Sequence, residues 1–267
     1  MNRMPAVAGQ FYPGKPADLL REVENYTAVP AERTAALGVV VPHAGYLYSG
    51  AIAGKTFARV HIPRKVIILG PNHHGVGPAA SVYAAGAWQT PLGMMPIDAP
   101  LAGAILAKCP GTTADMSAHR LEHSLEVQVP FLQVLTPECS IVPICLGRLA
   151  LTELLLLGEH LGRVLTQFPE EVLIVASSDM THYEAGAVAR EKDQRALKCI
   201  LDLDPEGLYR TVRDGRISMC GVIPVVVMLA ATLQKGARSA TLVHYGNSGD
   251  ITGDQSEVVG YAGVIVV

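Results

Sequence analysis

Three segments carry histidine just past an apolar run. VVVPHAGY holds His43, VIILGPNHHG holds His73 and His74, and VLIVASSDMTHY holds Asp179 and His182. The chain has only nine histidines, and the same placement recurs at three apolar runs. Imidazoles titrate near neutrality and serve equally as metal ligands or proton carriers. In open α/β sheets, loops beyond the carboxyl ends of strands converge on one crevice. Two further segments add donors. RLEHSLEVQVPF sets His123 at the start of a helix predicted over Glu122 to Val134, with Glu122 beside it and Glu126 three residues on. SMCGVIP sets Cys220 before an apolar helix, where a helix N-terminus lowers a thiol's pKa. Sulfur combined with imidazole suits iron, copper or zinc better than magnesium or calcium.

Each residue has a plainer reading. Asp179 could cap a following helix, and Glu126 could form a surface pair or a capping box. Neighbours on an extended segment point to opposite sides, so His74 is read as a neighbour of the site, not a partner to His73 within it. Asn247 and Asp250, in the turn-rich HYGNSGDITGD, could line the same pocket or a surface turn. Cys109, Cys139, Cys145 and Cys199 read as core or surface thiols.

The elements that must position these residues alternate. Strand-like runs at Gly38–Val41, Lys65–Leu69, Ser140–Leu146, Val172–Ala176, Ser239–His244 and Val258–Val267 are interleaved with helical stretches. Continuous apolar strands between helices predict a single α/β domain over 1–267 with a mostly parallel central sheet flanked by helices. An antiparallel piece is expected from residues 81–84 and the C-terminal run. Val222–Gln234 reads as an apolar helix, either core or interface.

Composition narrows the function classes. With 49% hydrophobic and 17% charged residues, the chain must fold around a sizeable core. A net charge of −3 without a basic run argues against nucleic acid as a partner. No apolar stretch approaches the ~20 residues that span a bilayer, so no membrane partner is expected. Five dispersed cysteines without a CxxC, and an N-terminal MNRMPAVAGQFYPG without an apolar core, point to a reducing, cytoplasmic setting. GxSxG and HExxH are absent, which removes the common serine hydrolase and zincin readings.

VVPHAGYLYSG, ILGPNHHG, EHSLEVQVPFL, SSDMTHY and the Cys-Gly of MCGVIP, in this order, resemble the Memo family, whose bacterial and archaeal members are called AmmeMemoRadiSam system protein B. The likeness runs from AGQFYPG to the final YAGVIVV. It implies a fold similar to class III non-haem iron extradiol dioxygenases and a metal held by His43, His73 and Cys220. Fe(II) is the implied metal, with Cu or Zn as alternatives. Cys220 stands where those dioxygenases place a carboxylate. The resemblance also implies His182 as the acid/base histidine, Asp179 as its companion and His123 as a further pocket residue. A small-molecule or peptide ligand is implied, as is a pathway link to radical-SAM and AMMECR-type proteins. Three functions remain open: a dioxygenase-like oxidoreductase, a binding protein with a vestigial pocket, and a zinc-dependent hydrolase.

Overall fold

The computed structural model describes residues 2–28 and 32–267. In chain order the strands are β1 (Asn2–Arg3), β2 (Thr34–Ala35), β3 (Gly38–Val41), β4 (Val60–His61), β5 (Lys65–Pro71), β6 (Ala80–Val82) and β7 (Ala87–Thr90). They continue with β8 (Gly93–Pro96), β9 (Thr113–Ala114), β10 (Ser140–Leu146), β11 (Val172–Ser177), β12 (His182–Glu184), β13 (Ala240–Asn247) and β14 (Val258–Val266). The helices are α1 (Pro16–Thr27), α2 (Tyr46–Phe57), α3 (Ala99–Lys108), α4 (Val129–Leu135), α5 (Leu151–Gln167), α6 (Gly186–Leu201), α7 (Pro205–Asp214), α8 (Val222–Gln234) and α9 (Gly249–Thr252).

The main sheet runs β12-β14-β3-β11-β5-β10-β6-β9, with β13 also on β14. Its centre, β3-β11-β5-β10, is wholly parallel. The antiparallel part lies where the sequence places it, at β6 on β10 and at the C-terminal β13 and β14. The whole is therefore a mixed sheet with a parallel heart.

Period-two side-chain alternation explains why these strands are apolar throughout. Val40, Ile67, Leu69, Val142, Ile174 and Ala176 enter one core, shared with residues of α3, α5, α6, α7 and α8. Val39, Val41, Val66, Ile68, Leu173 and Val175 enter the other, shared with α1, α2, α4 and the small β1-β7-β8 sheet. Helix α8 is core: Pro224 through Thr232 are all buried.

One predicted element is corrected. The helix expected over Glu122 to Val134 begins only at Val129, after a single 3₁₀ turn at Glu126–Gln128. Side chains compete for the backbone here. Ser124 N donates to Glu122 Oε1 and Ser124 Oγ donates to the Pro71 carbonyl, which hold the segment in an irregular path. His123 therefore sits on a loop and not at a helix start.

Candidate metal centre

Strands β3, β11 and β5 lie side by side and end together. Two residues past each end stand His43, Asp179 and His73. Two glycines then let distant segments close onto this spot. A Cβ on Gly70 would lie 2.7 Å from Ser124 Oγ and 2.6 Å from Leu125 Cγ, so only glycine lets the 122–125 loop rest on the end of β5. A Cβ on Gly221 would lie 2.3 Å from the Ser177 carbonyl and 2.4 Å from Ser178 Cβ. That glycine seats Cys220 against the end of β11.

The result is a group of three imidazoles. His43, His73 and His123 each offer a ring nitrogen, and these lie within 4.8 Å of one another. The His73 and His123 rings stack at 4.8 Å, while His43 meets each edge-on at 5.3 and 5.5 Å. Cys220 lies at the group's edge, its Sγ 3.1 Å from His43 Nε2. His43 is buried at 2% exposure, whereas His73 keeps 30% of its side chain open. A cleft of about 460 Å³ opens beside His73, lined by Asn72, His74, Gly147 and Arg148 among others.

Each ring is held differently. His43 has Nδ1 2.9 Å from Ser177 Oγ. His73 donates from Nδ1 to Glu122 Oε1 at 2.8 Å, and its backbone N–H donates to Glu122 Oε2. His123 has Nδ1 3.6 Å from the same carboxylate and packs on Phe11 at 4.7 Å. Glu122 is fully buried. Burial would raise its pKa, but the hydrogen bond and charge of His73 outweigh that and hold it well below the carboxylate range. Burial would lower His73, and the same bond and charge raise it instead. Burial, reinforced by the charges of the other two histidines, pushes His43 well below the ordinary range. Burial also takes His123 down to about 4.

The remaining candidates line the same region. Asp179 caps no helix: its Oδ1 accepts the His43 backbone N–H at 2.7 Å, and the next element is β12. Burial raises its carboxyl to about 6, against the lowering effect of the His43 and Ala44 amides. His182 is oriented by Ser218 and not by Asp179. Its backbone N–H donates to Ser218 Oγ, and its Nδ1 donates to the Ser218 carbonyl at 2.9 Å. A bulge at Tyr183, with φ +57, follows it directly. The expected lowering of the Cys220 pKa is overturned. Burial, and after it the Asp179 carboxylate, raises the thiol well above its ordinary value.

His74 turns its Nε2 to the Leu121 carbonyl at 3.1 Å and stands outside the three-ring group. Asn247 and Asp250 bond each other across the β13–α9 turn. Glu126 forms neither a surface pair nor a capping box. It is a buried ion-pair partner of Arg3 at 2.6 Å and accepts from Ala6 N, Val7 N and Tyr12 Oη. Sequence reasoning missed Glu122, Ser177 and Gln128 as supports of the site. Only for Glu122 was there a signal, its place beside His123.

The donor chemistry fits a metal. Three imidazoles whose burial favours the neutral form for two of them, one carboxylate bracing a ring from behind, and an adjacent thiol are the groups a transition metal takes. Fold and site together define an α/β protein with a histidine-rich, metal-capable pocket at the carboxyl ends of its parallel strands.

A family model described as Memo-like protein matches residues 3–265. A MEMO1 family protein of Aquifex aeolicus is 43% identical and one of Methanopyrus kandleri 39%, over 98–99% of each chain. The chain belongs to the Memo family. An uncharacterized protein of Escherichia coli K12 shares the fold, with TM-score 0.55 at 15% identity over 85% of this chain and 98% of the other. No helix among the described residues is long and apolar enough to cross a membrane.

Proposed function

We propose that this chain is a metal-dependent, dioxygenase-like oxidoreductase acting on a small molecule, with Fe(II) as its metal. The observation that carries this is the convergence of the His43, His73 and His123 ring nitrogens within 4.8 Å at the ends of parallel strands. Those rings, with Cys220 beside His43, would hold the ion. Bound Fe(II) supplies one-electron redox chemistry and Lewis acidity. The chain's own residues do the rest. Glu122 orients His73 and fixes its tautomer. His182, with Nδ1 committed to Ser218, keeps Nε2 free to take or give a proton. Asp179 pins the backbone of His43. The cleft beside His73, with Arg148 among its lining residues, admits a small polar molecule. A cytoplasmic location and a pathway shared with radical-SAM and AMMECR-type proteins belong to the same proposal.

A second reading has its own support. Glu122, the carboxylate bonded to a ring, is turned to the back of His73, and Asp179 is bonded to the His43 backbone N–H, so the group of three rings differs from two histidines and a carboxylate. A copper- or zinc-binding protein without turnover is consistent with that set, as is a zinc hydrolase, since three histidines also hold catalytic zinc.

Anaerobic loading with Fe(II), Cu(I) and Zn(II), followed by metal analysis and oxygen-uptake assays on catechols and small amides, separates these. Oxidoreductase function requires stoichiometric iron and oxygen consumption with at least one substrate. Tight binding without uptake favours the second reading. Undiminished loading in a His43→Ala/His73→Ala double variant removes the metal site altogether.

A further inference from the structure

We infer that Ser177 and Gln128 are positioning residues that hold His43 in the tautomer protonated on Nδ1, leaving Nε2 as a bare lone pair facing Cys220. The geometry stands by itself; its consequence for metal affinity rests on the metal-binding reading above.

The protons available at Ser177 fix the tautomer. Among the described residues, Ser177 Oγ has three hydrogen-bond partners: the Ser124 carbonyl at 2.6 Å, Gln128 Nε2 at 2.9 Å and His43 Nδ1 at 2.9 Å. A carbonyl has no proton to give, so the single hydroxyl hydrogen goes to Ser124. The Gln128 amide is fixed in the same way. Its nitrogen also lies 2.9 Å from the Pro42 carbonyl, which accepts only from an N–H. One amide hydrogen therefore goes to Pro42 and the other to Ser177. With its proton committed and one lone pair occupied, Ser177 can only accept from His43. The ring must carry hydrogen on Nδ1.

Two observations support this accounting. Among the described residues, Gln128 Oε1 is buried with no hydrogen-bond partner. Turning the amide over would face that oxygen to the Pro42 carbonyl and to a hydroxyl whose proton is already given. A buried acceptor left without a donor is costly, so the donor orientation on the other side of the amide outweighs it. Moreover, Ser124, Gln128 and Ser177 are all fully buried, and no solvent contact offers Nδ1 another partner. Gln128 also grips Pro42, the residue before His43, so one side chain sets both the loop and the ring's proton.

The opposite tautomer would present an N–H to Cys220 and no lone pair to an ion. Supports of this kind typically change metal affinity 10–100-fold. Protein labelled with ¹⁵N-histidine, metal-free at about pH 8 where imidazoles are neutral, reports the tautomer directly by long-range ¹H–¹⁵N correlation. Zn(II) affinity is read by chelator competition. The wild type is expected to show His43 protonated on Nδ1. Ser177→Ala is expected to show mixed tautomers and Zn(II) binding weakened about tenfold or more, and Gln128→Met a smaller change in the same direction. Ser177→Thr, which keeps the hydroxyl, should retain the wild-type signature.

A wild-type ring protonated on Nε2 overturns the inference. So does Ser177→Ala with an unchanged ring signature and unchanged Zn(II) affinity. Should Ser177→Ala fail to fold, unchanged readouts in Gln128→Met overturn it equally. A wild type that shows the Nδ1 proton yet binds no Zn(II) upholds the tautomer and overturns the metal reading, so the two fail separately.

Discussion

The two walls of the pocket are built on opposite plans. His43 projects from the parallel heart of the sheet, and its ring is met by neutral groups, Ser177 and behind it Gln128, all buried. His73 and His123 form the other wall, more open to solvent, and a carboxylate braces them. That wall depends on the irregular loop before α4, and the loop depends on the N-terminus. Arg3 donates to the carbonyls of His119 and Glu122 and pairs with Glu126. Residues separated by more than a hundred positions thus clamp the segment that carries Glu122. A sheet-borne wall needs little beyond its strand register, whereas a loop-borne wall needs a strap and a charge. The opposite pKa directions of His43 and His73 follow directly from this.

Four measurements test the contrast between the two walls. Arg3→Ala should have the largest effect. It leaves the buried Glu126 without its cation, a change that typically costs about 3–5 kcal/mol, read as a lower urea midpoint. Metal binding should weaken with it if the strap holds the loop-borne wall. Undiminished stability and affinity would show that the loop holds itself.

Acid should strain the same wall. His119 is buried in this loop region, and burial, reinforced by the Arg3 charge against the Ser81 carbonyl bond, lowers its pKa from 6.5 to about 4. Between those values the unfolded chain binds a proton that the folded chain refuses. Stability is therefore full above pH 6.5 and declines as pH falls toward 4. The loss is about 3 kcal/mol at most, at 1.36 kcal/mol per pKa unit. Unfolding curves across that range should be steeper in wild type than in His119→Gln.

Glu122→Gln should come next, with Zn(II) affinity reduced by ~10–100-fold. A hydrogen bond to an ionised acceptor is the stronger kind, so this loss should exceed that of Ser177→Ala. An equal or larger effect of Ser177→Ala would refute the contrast between charged and neutral bracing. His74→Ala should have the smallest effect, less than about 0.5 kcal/mol of stability as for an ordinary surface change, with metal affinity unaltered. A large loss of affinity would bring His74 into the site.

Much of the frame was legible from local pattern. The apolar runs at Gly38–Val41, Lys65–Leu69 and Val172–Ala176 are the parallel centre, because strands buried on both faces have no polar phase to hide. His43, His73 and Asp179 follow those strands directly, so their convergence could be anticipated from strand ends alone. The loop-borne wall was not legible. Periodicity suggested a helix from Glu122, and Glu126 looked like a capping or surface residue. Nothing near Arg3 in the chain announces that it pairs with Glu126 across 123 positions.

The alternation of elements, the parallel core and the histidines at strand ends are set locally, because they follow from periodicities within a few residues. How those side chains are held emerges only in the packed fold: His123 within the ring group, Glu122 behind His73, Ser177 and Gln128 behind His43, and a Cys220 thiol raised by burial where its helix position suggested the reverse. Tautomer and charge depend on which distant groups are buried together, and desolvation is a property of the packed molecule that no short stretch of chain contains.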